Sequence, residues 1–308
     1  MRTKIRMKQA IKQTLKSEDT EEPIDIYFYR PIGYLMALLA ERLRITPNMI
    51  TVASIFIGAA AGILFYYSSL AVNIIGMFLL MLANSFDSAD GQLARMTNNK
   101  TKLGRILDGF AGNIWFIIIY VVLVFRVVHQ GFYGLNPIWI WVIGAAAGGS
   151  HIIHAAIADY YRTIHLHFLS YGKNSEFEGS EQVVAQYQSL SWRKNFVEKA
   201  MMFFYRNYTI EQETCTPNFQ KFIKKLRLNY PKGELPTDLC EEFRAKSKPL
   251  MKYTNILQFN TRVIVLFICL FLNQPFLYFA FDLIVLNGIL IYMVLKHEKI
   301  SKRLLLKI

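Results

Sequence analysis

The chain has 308 residues, 53% of them hydrophobic, and a formal net charge of +13, with a mean hydropathy of +0.25. So apolar a composition excludes an ordinary soluble domain and points to a membrane protein. The charge does not argue for nucleic-acid binding, because the basic residues are parcelled into segments that flank apolar runs.

The first segment carries Arg2, Lys4, Arg6, Lys8, Lys12 and Lys16 and runs into the polar stretch Ser17 to Glu22. Without an apolar core this does not read as a signal peptide. Asp25 to Asn48 follows, with Leu35, Leu38, Leu39 and Leu43 at helical spacing. An amphipathic helix lying along the membrane surface is expected there.

A helix crossing the hydrocarbon core needs about 20 mostly apolar residues. Six runs meet that need: Met49 to Tyr67, Ala71 to Ala89, Ile106 to Val128, Ile138 to Ala158, Leu257 to Leu272 and Phe276 to Leu295. The loops at Ser68–Ser69 and Asn273–Gln274 carry no charge, and the third loop of that side has only Arg126 at its edge. Lys and Arg instead crowd the N-terminus, the loop with Arg95, Lys100 and Lys102, and the C-terminus from Lys296 to Lys307. Cytoplasmic segments carry such an excess, so both termini are expected in the cytosol.

Between the fourth and fifth runs lie some eighty residues, Ser170 to Pro249, too charged to span. Thr216 and Pro217 make a helix start there, with Phe219, Phe222, Ile223 and Leu226 on one face and Lys221, Lys224 and Lys225 opposite. A cytoplasmic cap packed on its own small core is the favoured reading, and docking on the membrane surface is the other. The expected fold is therefore an all-α integral membrane protein: a six-helix transmembrane bundle with an N-terminal surface helix and a cytoplasmic helical insertion. Its divisions are 1–48, 49–168, 169–250 and 251–308. Cys215, Cys240 and Cys269 have no metal-ligand spacing and read as free thiols.

The chemistry is carried by "NSFDSADGQLARMTNNKTKLGRILDGFAGN", Asn84 to Asn113. Asp87, Asp90, Gly91 and Ala94 fall at i, i+3, i+4 and i+7, so two carboxylates and two small residues share a helix face. Asp87 and Asp90 lie toward the cytoplasmic end of the second run and Asp108 near the same end of the third, so the three can converge. Several acids around one space repel unless a cation neutralises them, and oxygen ligands select a hard divalent ion: Mg²⁺, with Mn²⁺ or Ca²⁺ as alternatives. Intramembrane acids default to function. Pairing with Arg95 and Arg105 to fasten helices is the structural alternative.

This spacing resembles the CDP-alcohol phosphotransferase family, whose signature is DxxDGxxAR, eight residues, then GxxxDxxxD. Asp87, Asp90, Gly91, Ala94, Arg95, Gly104 and Asp108 match it, and "TPNMIT" at Thr46 to Thr51 looks like the family's entry to its first span. The resemblance implies a membrane transferase in which the matched acids hold one or two divalent ions on a CDP-linked substrate. It also implies that Gly91, Ala94 and Gly104 accommodate the nucleotide, that Arg95 assists the phosphates, and that CMP leaves. The family's fourth Asp, proposed there as second-metal ligand and base, falls on Gly112 here, followed by Asn113.

Three readings stay open. One keeps a CDP-linked donor with another base. The second moves a phospho-headgroup from a phospholipid such as phosphatidylinositol to a lipid alcohol such as a ceramide, as an inositol phosphoceramide synthase of sphingolipid metabolism does. The third is a non-catalytic membrane protein, and transport is a weaker rival.

A substitute base is sought in "GGSHIIHAAIADYYRTIHLHF", Gly148 to Phe168. His151 and His154 can accept a proton near pH 7, and Arg162 can fork onto a phosphate. These residues can equally satisfy one another or interfacial headgroups. His165 and His167 are expected at the interface, Asp282 in a structural hydrogen bond, and Arg262 either facing the same cavity or snorkelling. Membrane lipids and a small polar or lipid alcohol are the expected partners, and family members are often homodimers.

Overall fold

The computed structural model describes residues 17, 19–99, 101–131, 134–173, 177–231 and 233–308. The basic residues from Arg2 to Lys16, and Lys100, lie outside them. The fold is all-helical, with no strand among the described residues, and six helices are long and apolar enough to cross a membrane. We number the helices α1 (Arg30–Arg42), α2 (Pro47–Leu64), α3 (Leu70–Met96), α4 (Lys102–Gln130), α5 (Pro137–Leu169), α6 (Ser180–Ser189) and α7 (Phe196–Thr214). The chain goes on through α8 (Pro217–Asn229), α9 (Thr237–Ser247), α10 (Met251–Ile256), α11 (Phe259–Phe271), α12 (Phe276–Ala280) and α13 (Asn287–Leu305). Two compact units result, 1–150 with 262–283, and 151–261 with 284–308.

In the first unit, local chemistry sets the helix ends near the acids. Thr46 caps α2 by accepting from the Met49 amide at 3.4 Å, with Pro47 in the first turn, where its missing N–H costs nothing. Thr101 caps α4 by accepting from the Gly104 amide at 3.0 Å, and α4 ends at Gly131 with φ of 66°, the left-handed conformation that glycine adopts without strain. Small residues bring the helices together. A Cβ on Gly58 would run into the Trp115 indole, and one on Gly76 would lie 2.7 Å from the Phe65 ring. Close approach over small residues is how helices associate where lipid supplies no hydrophobic drive. Helix α1 buries Gly33, Ala37 and Ala40, while Leu35, Leu38, Leu39 and Leu43 stand exposed. Its small face packs with Ile50, Ala89 and Leu93.

Two buried arginines of this unit find partners within the protein. Arg126 lies four residues before the end of α4, 1% exposed, and donates to the Phe65 carbonyl at 2.8 Å, Asn73 Oδ1 at 3.2 Å and Asn273 Oδ1 at 2.7 Å. Arg262 donates to Asp282 Oδ1 at 2.5 Å, and the Tyr120 hydroxyl donates to Asp282 Oδ2. Asp282 thus takes the structural hydrogen bonding expected of it. Arg262 neither snorkels nor awaits a ligand, because lipid-depth burial of a charge demands a partner and Asp282 supplies it.

The second unit holds the insertion. The face of α8 is buried as its spacing predicts: Phe219, Phe222, Ile223 and Leu226 are all inside. The core is not the insertion's own, however. Phe168 of α5 stacks on Phe243 at 3.9 Å between centroids and on Phe222 at 5.9 Å, so the fourth span extends past Ala158 to Leu169 as a wall of that core. Glu298 of α13 accepts from the amides of Asn218 at 2.6 Å and Phe219 at 3.2 Å, capping α8 from a distance in sequence. His165 is fully buried with Ser247 Oγ at 2.8 Å from its Nδ1, and His167 packs on Phe177 at 4.8 Å. His165 is thus an interior group of this unit, while His167 lies in the last turn of α5. An insertion short of apolar residues gains enough core by borrowing the flanking helices.

Candidate metal and phosphate site

Asp87 and Asp90 stand one turn apart on α3, and Asp108 stands about two turns after the Thr101 cap of α4. The three offer carboxylate oxygens within 4.8 Å of one another. Asp90 is buried, Asp87 half-buried and Asp108 partly exposed. Oxygens bound to one Mg²⁺ or Mn²⁺ at about 2.1 Å are at most about 4.2 Å apart, and at about 2.4 Å, as for Ca²⁺, about 4.8 Å. The donor set and its spacing therefore fit a single hard divalent ion.

Other side chains hold the acids. Thr51 of α2 donates its hydroxyl to Asp90 Oδ2, and the same hydroxyl lies 3.1 Å from the Pro47 carbonyl. Asn48 Oδ1 faces Gly104, where an added Cβ would lie 2.8 Å from it. That glycine therefore lets the first turn of α4 approach the start of α2. The Arg95 guanidinium folds back over Gly91, where an added Cβ would meet it at 3.3 Å. Ala94 is half-buried on the same face.

The N-terminal segment adds a cation beside these groups. Arg30 acts electrostatically on both Asp87 and Arg95, and it is fixed from two sides. Glu21 accepts from its guanidinium at 2.7 and 3.2 Å, and the Gln92 side chain donates to its carbonyl at 3.1 Å. Neighbouring Tyr29 hydrogen-bonds the Asn84 side chain, and burial pushes its hydroxyl up to about 12.

Residues 44–175 match the family model for CDP-alcohol phosphatidyltransferase. Over this segment the chain is similar to that family. The match takes in α2 to α5 and hence all three acids, Gly91, Ala94, Arg95 and Gly104. A search of curated proteins returns no match. The family is generally metal-dependent, and among the described residues Asp87, Asp90 and Asp108 form a cluster that could hold a metal ion.

The histidines and Arg162 belong to the second unit, and their contacts are recorded there. His151 is buried, and His154 is fully buried with Nε2 at 2.9 Å from Asn287 Oδ1. Arg162 donates to Gln258 and, at 3.4 Å, to Asn255. Sequence reasoning gave no role to Thr51, Asn48, Tyr29 or Arg30. Thr51 carried a signal, since it and Ser54 are the polar residues of an otherwise apolar span. Tyr29 and Arg30 carried none, because only tertiary contact brings their segment to Asn84 and Gln92.

Proposed function

We propose that the chain is a divalent-metal-dependent transferase that moves a phospho-alcohol or phosphatidyl group from a CDP-linked donor to an alcohol in phospholipid synthesis. The observation that supports it is the convergence of Asp87, Asp90 and Asp108 within the segment that matches the family. Mg²⁺ or Mn²⁺, one ion or two, would be held by these carboxylates and would draw charge from the transferring phosphate. Thr51 orients Asp90, and Arg95, laid over Gly91, offers a fork of N–H donors to phosphate oxygens. Ala94, small and on the same face as the acids of α3, would leave the nucleotide room, whereas Gly104 serves the approach of α4 to Asn48. The acceptor's hydroxyl oxygen bonds to phosphorus, the P–O bond to CMP breaks, and the hydroxyl proton passes to a base. Positioning and electrostatics carry most of such a transfer.

In this reading His151 and His154 are the proton acceptors to test and Arg162 a phosphate contact. The active site and both termini face the cytosol. A lipid alcohol acceptor reaches the site from the membrane, a polar alcohol from water.

Gly112 supports a second reading. A Cβ there would meet nothing within 4 Å, so the position of the signature's last acid is open space. A donor that is a phospholipid, giving its headgroup to a lipid alcohol, needs no cytidine pocket and fits an altered signature. Product analysis in lipid nanodiscs with Mg²⁺ or Mn²⁺ separates the two. CMP release from CDP-diacylglycerol plus an alcohol supports the first. Diacylglycerol release with a new phosphoceramide, and no CMP, supports the second. Absence of both products, with metal binding unaffected by Asp87→Asn, overturns the transferase assignment.

A further inference from the structure

The insertion exposes one helix face that its own core does not use. On α7, Phe196, Phe203 and Ile210 recur every seven residues, with Val197 and Phe204 beside them, and all five are exposed, Phe196 by 65% and Phe204 by 54%. Met202, Thr209 and Gln212 on the opposite side are buried. Trp192, in the turn before the helix, is 46% exposed and its ring lies 5.7 Å from that of Phe196.

Basic side chains border this face on one edge. Lys199 and Arg206 stand seven residues apart, and both lie over the Tyr187 ring, at 4.7 and 4.8 Å. Arg193 and Lys194 flank Trp192 in an exposed turn. Glu198 is exposed away from the face, and Glu211 stands at its C-terminal end, with its carboxyl pushed up by burial. An apolar stripe with an aromatic at its entry and a basic border is the pattern of a helix lying in a bilayer interface, where the apolar face enters the headgroup boundary and cations meet anionic lipids. The segment is tethered at both ends to candidate spans, so a bilayer surface is within its reach.

We propose that α7 and the turn at Trp192 dock in the plane of the bilayer, on an anionic phospholipid surface. A second copy of the chain is the poorer occupant, since it would bring a like basic border against this one. The proposal does not depend on which headgroup donor the enzyme uses.

The test uses the full chain in nanodiscs of phosphatidylcholine with or without phosphatidylglycerol. Nitroxide is placed by Phe204→Cys, and separately by Glu198→Cys, in a background with Cys215, Cys240 and Cys269 replaced by alanine. In the anionic nanodiscs, the label at 204 is expected to collide more with oxygen than with an aqueous nickel chelate, while the label at 198 shows the reverse. Lys199→Gln with Arg206→Gln removes two cations from the border and should shift the docked-to-undocked ratio by roughly 30-fold toward the undocked form. Tryptic cleavage after Arg193 and Lys194 in the unmodified chain gives an independent reading, expected to slow in anionic nanodiscs. An aqueous label at 204 in both compositions overturns the proposal, as does equal cleavage in both. Dipolar broadening at 204 overturns it too, by showing a second copy on the face.

Discussion

Thr51→Val keeps the shape of the side chain and removes the hydroxyl that donates to Asp90 Oδ2. A hydrogen bond to a charged group is worth about 1.5–3 kcal/mol, which is roughly 10- to 150-fold in an equilibrium constant. The Thr51 hydroxyl also lies 3.1 Å from the Pro47 carbonyl, so its one proton is shared and only part of that energy belongs to Asp90. The expected loss in metal affinity is therefore near the low end, about tenfold, as is common when a group orienting a metal ligand is removed. The assay is a Mn²⁺ titration of the purified protein, followed by the electron-spin signal of free Mn²⁺, with melting curves taken in parallel. Thr51→Ser, which keeps the hydroxyl, should bind as the parent does. If Thr51→Val melts like the parent and binds Mn²⁺ with unchanged affinity, Thr51 does not position Asp90, and the reasoning that ties α2 to the metal site fails.

Arg262→Leu should cost about 3–5 kcal/mol, because it leaves Asp282 buried without its cation, whereas Arg262→Leu with Asp282→Leu should recover most of that loss in thermal unfolding in detergent. Glu298→Gln keeps one oxygen acceptor for the two amides of α8 and should lower stability by about 1–2 kcal/mol. Its effect should appear as faster hydrogen exchange at Asn218 and Phe219. Gly112→Asp enters open space on the same face as Asp108, four residues on, so it should fold normally and bind a second Mn²⁺, read by metal analysis after gel filtration. Asp87→Asn should abolish product formation in the nanodisc assay and weaken Mn²⁺ binding, with melting in the absence of metal little changed.

The spans were legible because lipid imposes a simple rule: about 20 apolar residues in a helix, and charges outside it. The acid cluster was legible for a related reason, since Asp87, Asp90 and Asp108 break that rule at fixed spacing. The face of α8 could be read from the positions of Phe219, Phe222, Ile223 and Leu226, but its neighbours could not. Sequence periodicity says that a face is buried and is silent on what covers it, so Phe168 and Glu298, far apart in the chain, came only with tertiary structure. The partners of Arg126 and Arg262 were not legible, because Asn73, Asn273 and Asp282 lie far from them in the chain and only tertiary structure brings them within reach.

Those same arginines sharpen the argument for the site. Where an ionised group serves only to hold helices, its counter-charge or acceptors come from the protein: Asp282 has Arg262 and Tyr120, and Arg126 has a carbonyl and two amides. Asp87, Asp90 and Asp108 are arranged otherwise, with three carboxylates gathered within 4.8 Å of one another and a neutral hydroxyl, from Thr51, orienting one of them. Like charges that close repel by several kcal/mol even in a partly screened medium. Burial near lipid raises that cost, and a cation bound among the three would offset it. The arginines Arg30 and Arg95 stand beside the acids, the first clasped by Glu21 and the second laid along Gly91. In the proposed function these acids would hold a metal ion and the guanidinium groups would meet phosphate, with α3, α4 and the N-terminal segment bringing the two sets together.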